Sequence, residues 1–169
     1  PILPGSYIVL QVHYNITPGL ADLSDQSSIE LRLDAEVEKQ GAFAPWLNMP
    51  WALGGMEIPP LVDDWSFTAE ADPRDFFELL NPDLDLAGGF TIYSAMLHMH
   101  QLGSGAEVHV LRADGSQVPL VDIPSWDFDW QLGYQLSNPV EFYDGDQLSL
   151  TCTFDNTAEG AIRTNWGEG

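Results

Sequence analysis

Basic residues are scarce in this chain of 169 residues. One lysine, Lys39, and four arginines stand against 26 Asp and Glu, for a formal net charge of −21. Nucleic acid and anionic membrane surfaces both require basic patches, so the charge balance argues against either as a partner. Long apolar runs are also missing. No stretch approaches the ~20 apolar residues that cross a bilayer as a helix, and no membrane span is expected. There is no glycine-rich phosphate loop, and no Ser-His-Asp arrangement can be read from spacing. Cysteine is reduced to Cys152, which excludes a disulfide framework within the chain. A lone cysteine is usually a buried small hydrophobe, whereas in a secreted chain it points to a partner elsewhere. No signal peptide opens the chain. It starts Pro1-Ile2-Leu3-Pro4-Gly5 and enters a strand-like stretch at once, as a mature form or a fragment would.

What is present suffices for a core. Hydrophobic residues make up 44% of the chain, and the length allows one domain or one and a fraction. The acidic surface suits a secreted, periplasmic or otherwise extracellular protein, or one adapted to salt.

The stretch around which the chain is organised is Leu97-His98-Met99-His100-Gln101-Leu102-Gly103, inside an apolar run over residues 90–102. On a strand, successive side chains alternate faces, so His98 and His100 point to the same side. Their Cβ atoms would be roughly 6.5 Å apart. Two neutral imidazoles at that spacing can share a zinc, copper, iron or nickel ion. The plainer alternative is two core histidines, each bonded to a backbone carbonyl. Met99 points away from them and reads as packing, as do Met49, Met56 and Met96.

The rest of the chain reads as short strands. Residues 6–14 are rich in β-branched and aromatic side chains, and residues 28–33 alternate with period two. A short strand ends at Pro59-Pro60, and residues 65–71 alternate again. Asp72-Pro73 is a helix-start signal for two turns over residues 75–80, the only helix expected. Strands follow over residues 106–112 and 117–121 about an Asp114-Gly115 turn, and over residues 140–143 and 147–154 about Asp144-Gly145. Many short strands with turn chemistry between them predict an all-β antiparallel β-sandwich or jelly roll. The charged residues 34–41 could join two units.

Other residues have local readings. His109 falls on the face opposite Val108 and Val110 and reads as a surface histidine. Trp126, Phe128 and Trp130 share one side, as core or as an aromatic wall beside a site. Asp22, Asp25 and Ser27 could offer oxygen ligands to calcium. Asn15-Ile16-Thr17 is a formal glycosylation sequon.

Four motifs, in order along the chain, carry a resemblance: Val9-Leu10-Gln11-Val12-His13-Tyr14; Leu97-His98-Met99-His100-Gln101-Leu102-Gly103; Asp144-Gly145-Asp146 through Cys152-Thr153-Phe154; and Asn165-Trp166-Gly167-Glu168-Gly169. Together they resemble the copper type II, ascorbate-dependent monooxygenases, the family of peptidylglycine α-hydroxylating monooxygenase and dopamine β-monooxygenase. The resemblance implies two jelly-roll domains with one copper each. His13 would be the third ligand of the electron-transfer copper. His98 and His100 would be the histidines of the oxygen-binding copper, whose methionine ligand falls just after Gly169. The first two ligands of the electron-transfer site fall before Pro1. Residues 1–35 would then be the last strands of the first domain, and residues 36–169 most of the second. The resemblance also implies that Cys152 is one half of a disulfide closed by the cysteine after that methionine. Its sulfur is therefore expected to be partly accessible. In the peptide-amidating member, an arginine two residues before the first histidine of the pair grips the substrate carboxylate, and here that position is Met96.

Three functions follow as alternatives. The first is a monooxygenase that uses copper, O₂ and a reductant such as ascorbate to hydroxylate a C–H bond of a small organic molecule, with flanking segments of the same polypeptide completing the sites. On this reading the 169 residues alone are expected to be inactive. The second is a non-catalytic extracellular β-sandwich, structural or copper-binding. The third is a cupin-like one-metal enzyme with His13, His98 and His100 round a single ion.

Overall fold

The computed structural model describes residues 2, 4–12, 14, 24–39 and 41–165. The chain divides into two compact units, Pro1–Ala42 and Phe43–Gly169.

The first unit departs from expectation. Residues 6–14 and 28–33 are expected as strands, yet no strand forms among the described residues of this unit. These segments have strand composition but no ladder to complete. Tyr7 is 95% exposed and Val9 86%. Side chains do link its two halves: the Tyr14 hydroxyl donates to Asp25 Oδ2 at 2.5 Å, and the Ser27 hydroxyl donates to the same oxygen. These two bonds, that of Ser27 first, hold the Asp25 carboxyl below its usual range. Asp22 and the sequon Asn15-Ile16-Thr17 lie outside the described residues.

The second unit is an antiparallel β-sandwich. Its strands are β1 (Glu57–Ile58), β2 (Trp65–Ala71), β3 (Phe90–Met96), β4 (Gly103–Leu111), β5 (Gln117–Ile123), β6 (Gly133–Phe142), β7 (Gln147–Phe154) and β8 (Thr164–Asn165). A four-stranded sheet has the order β2-β7-β4-β5, and two-stranded sheets pair β3 with β6 and β1 with β8. The expected helix forms as α1 (Arg74–Leu80), beside an irregular helical turn at Trp51–Gly55 that was not expected. Pro73, not Asp72, occupies the cap position, but Asp72 Oδ1 accepts the Arg74 N–H at 3.0 Å, as a capping carboxylate would. The Arg74 guanidinium lies on the same carboxylate and holds Asp72 below its ordinary range.

Alternation decides what faces inward. On β7, Leu148, Leu150, Cys152 and Phe154 share the inner face; on β4, Ala106, Val108 and Val110 do. These residues pack against β3 and β6 in two clusters. One is built on Phe154, Val108, Met99 and Trp126, the other on Phe142, Val110, Leu148 and Phe77. Phe90 stacks on Phe142 with ring centroids 4.7 Å apart. Gly89 permits this approach. Its φ is +87°, and a Cβ there would lie 2.2 Å from the Phe142 carbonyl oxygen.

The outer face of the large sheet is polar. Ser66 and Thr153 hydroxyls meet at 3.0 Å, and those of Thr68 and Thr151 at 2.9 Å. His109 stands on this face, as expected, but half-buried rather than at the surface, with Nε2 3.3 Å from Glu107 Oε2. The strand β5 forms one edge of the sheet. It carries Pro119 opposite His109, where the β4–β5 register slips.

Cys152 corrects an expectation. Its sulfur was expected to be partly accessible, but the residue is 5% exposed, on the inner face between Phe67 of β2 and Ala106 of β4. Burial pushes the thiol up to about 12.

Candidate metal centre

The apolar run over residues 90–102 does not form one strand. β3 ends at Met96, residues 97–100 continue without ladder bonds, and Gln101-Leu102 turn the chain into β4. The Gly103 N–H closes that turn on the His100 carbonyl at 3.0 Å. Alternation nevertheless persists through the histidines. Leu97 (9% exposed) and Met99 (5%) are buried in the core. His98 is exposed and His100 half-buried on the other side. The two buried side chains thus anchor the segment and turn both imidazoles outward together.

The His98 and His100 rings meet edge to face, with centroids 5.3 Å apart and planes at 75°. This spacing suits a shared ion. An ion about 2 Å from one nitrogen of each ring lies about 3.2 Å from each centroid, and a tetrahedral angle at the ion then separates the centroids by about 5.2 Å. His98 Nδ1–H donates to Gln131 Oε1 at 2.6 Å, and Gln131 Nε2 donates to the Phe128 carbonyl at 2.7 Å. That bond occupies Nδ1 and leaves the Nε2 lone pair of His98 for an ion. His100 Nδ1 is shielded from solvent.

Among the described residues, no three His, Cys, Asp or Glu side chains gather as a ligand set. The pair therefore fits a metal as two of its ligands, with the remainder of another kind or from elsewhere. His13 lies outside the described residues. Met99, buried in the core, is packing, as expected.

Gln131 was missed by sequence reasoning. It closes the aromatic and acidic stretch over residues 126–131, but nothing in that pattern links it to a histidine 33 positions earlier. The same stretch divides by burial: Trp126 is core, whereas Phe128 is 39% exposed and Trp130 67%.

A groove of about 370 Å³ crosses the outer face of the large sheet, lined by Asp63, Asp64, Glu107, Asp122 and Asp155 among others, and no histidine lines it.

The family model described as "Copper type II ascorbate-dependent monooxygenase, C-terminal domain" matches residues 55–167, and the chain belongs to that family. It is similar to the human (Homo sapiens) protein named DBH-like monooxygenase protein 1, with 24% identity over 161 residues, which cover 95% of this chain and 25% of that relative. The chain thus spans about a quarter of that relative's length. No helix among the described residues is long and apolar enough to cross a membrane.

Proposed function

We propose that the protein bearing this chain is a copper-dependent monooxygenase that hydroxylates a C–H bond of a small organic substrate with O₂ and an external reductant such as ascorbate. His98 and His100 would be two ligands of the oxygen-activating copper. The observation that carries this reading is the His98–His100 pair, 5.3 Å apart and outward together in a domain of this family. Copper held by two imidazoles and a soft thioether stays accessible as Cu(I), the form that activates O₂.

This chain's own residues do the rest. Leu97 and Met99 hold the backbone, so that both rings project without a change of register. Gln131 keeps a proton on His98 Nδ1. Met96, 52% exposed and two residues before His98, presents an apolar surface where the amidating relatives have an arginine. The proposed substrate is therefore not a peptide ending in a glycine carboxylate.

His13 is proposed as a ligand of a second, electron-transferring copper in a preceding domain to which residues 1–35 would belong, and the protein as secreted or periplasmic. Closure of Cys152 into a disulfide needs a second cysteine, because it is the chain's only one. It is proposed for the whole protein alone.

The test is ascorbate-dependent O₂ consumption by the copper-loaded whole protein, with His98→Ala as control. Activity is expected to vanish in the variant. Equal activity in both would remove the proposal, and no activity in either would leave the non-catalytic β-sandwich as the better reading.

A further inference from the structure

Resting on the copper reading above, the geometry points to Gln131 as a positioning residue that sets the tautomer and pose of His98, holding the proton on Nδ1 and presenting the Nε2 lone pair to the ion. The assignment follows from donors and acceptors alone. The Phe128 carbonyl can only accept, so the Gln131 group 2.7 Å from it is the amide NH₂. The group 2.6 Å from His98 Nδ1 is then the amide oxygen, which can only accept. A proton must therefore sit on Nδ1. Neutral imidazole carries one proton, and Nε2 is left bare.

The support continues into the core. Trp126, 9% exposed, packs in the cluster that contains Met99, and its backbone N–H donates to the Ser104 carbonyl at 2.9 Å. From that anchor the loop is braced by Asp127. Its Oδ1 accepts the Asp129 N–H at 2.9 Å, and its carbonyl accepts the Trp130 N–H at 3.0 Å. The Phe128 carbonyl is thus fixed to the same core that fixes Met99 between the two histidines. One ring nitrogen of an otherwise exposed histidine is tied to the body of the domain. Partners of this kind orient metal-bound imidazoles, and their loss typically costs about 10–100-fold in metal affinity.

The experiment compares the whole protein with its Gln131→Ala, Gln131→Glu and His98→Ala forms. Long-range ¹H–¹⁵N spectra of the histidine side chains, taken metal-free at about pH 8 where imidazole is neutral, read the tautomer. Competition with a Cu(I) chelator reads affinity. Gln131 is half-exposed on a loop, so its replacement leaves the sandwich intact. The expected result is a single Nδ1–H tautomer for His98 in the parent and both tautomers in Gln131→Ala, with Cu(I) affinity about 10–100-fold lower. Gln131→Glu keeps the Nδ1–H form and most of the affinity, because a carboxylate accepts the same bond. An Nε2–H tautomer in the parent, or an unchanged tautomer in Gln131→Ala, would overturn the inference. If the tautomer responds as expected but Cu(I) affinity is equal in the parent and His98→Ala, Gln131 still positions the ring and the copper reading is what falls.

Discussion

Gly103 stands so close to Met99 that a Cβ at Gly103 would lie 2.9 Å from Met99 Cε and 3.0 Å from its Cβ. Trp126 Cδ1 would be 3.0 Å away on another side. Met99 is the residue between the two histidines. The flexible Cε can give way, but the Met99 Cβ cannot move without its backbone. Gly103→Ala is therefore expected to destabilise the domain by about 1–3 kcal/mol, the usual cost of overpacking. It should also lower Cu(I) affinity by displacing the His98–His100 segment. Urea unfolding and chelator competition measure the two effects, and a variant as stable as the parent would contradict the packing argument.

Arg112 supports a different corner. Its guanidinium binds the carboxylate of Asp146, which is 3% exposed, and also donates to the Glu141 carbonyl at 2.7 Å. The same carboxylate accepts the Tyr143 N–H at 2.9 Å, tying the Asp144-Gly145 turn. Removing only the cation strands a buried charge, so Arg112→Met is expected to cost about 3–5 kcal/mol. Adding Asp146→Asn keeps an acceptor for Tyr143 and removes the charge, and the double variant is expected to recover much of the loss. A double variant no more stable than Arg112→Met would show that the charge was not the cause.

In the 169-residue chain by itself, where Cys152 is a free thiol, that residue sets an alkaline limit. Its folded value, about 12, lies above the ordinary 9.0 because burial penalises the thiolate. Folding therefore favours the protonated thiol. This contribution is fully present below pH 9 and is lost as pH rises from there towards 12. The midpoint of urea unfolding is expected to fall more steeply between pH 9 and 11 in the parent than in Cys152→Ala. An alkylating reagent at pH 8 is expected to modify the thiol only after unfolding. Rapid labelling of the folded protein would contradict its burial.

Met96 bears on substrate choice. With no cation at that position to meet a carboxylate, glycine-extended peptides are expected to be converted at negligible rates by the copper-loaded whole protein. Met96→Arg is expected to raise kcat/KM for them while leaving the Cu(I) affinity of the His98–His100 site unchanged. Turnover of such peptides by the parent at the rates of neutral substrates would refute the reading.

Local chemistry was legible in the sequence. The period-two pattern at Trp65–Ala71 became β2 over the expected residues, and the Asp-Gly turns appear with Gly115 and Gly145 both at φ +84°. The histidine alternation held because Leu97 and Met99 are apolar enough to specify their side. Features that depend on distant partners were not legible. The run through residue 102 looks continuous, and only its pairing with β6 decides that the ladder stops at Met96, opposite Gly133. β6 itself begins at Gly133, well before the expected residue 140. Residues 6–12 show the converse, strand composition with no strand partner among the described residues. Gln131 reaches His98 through a loop whose course no spacing rule encodes.

Pro119 has a consequence for how molecules meet. It removes an N–H from the strand at the rim of the four-stranded sheet, at the place where the register slips beside His109. An open rim with an intact row of donors would template the next molecule's backbone and grow by accretion. Here the row is broken and bent, and the −21 charge pushes approaching copies apart. Along this rim, copies crowded together meet no continuous seam on which to polymerise.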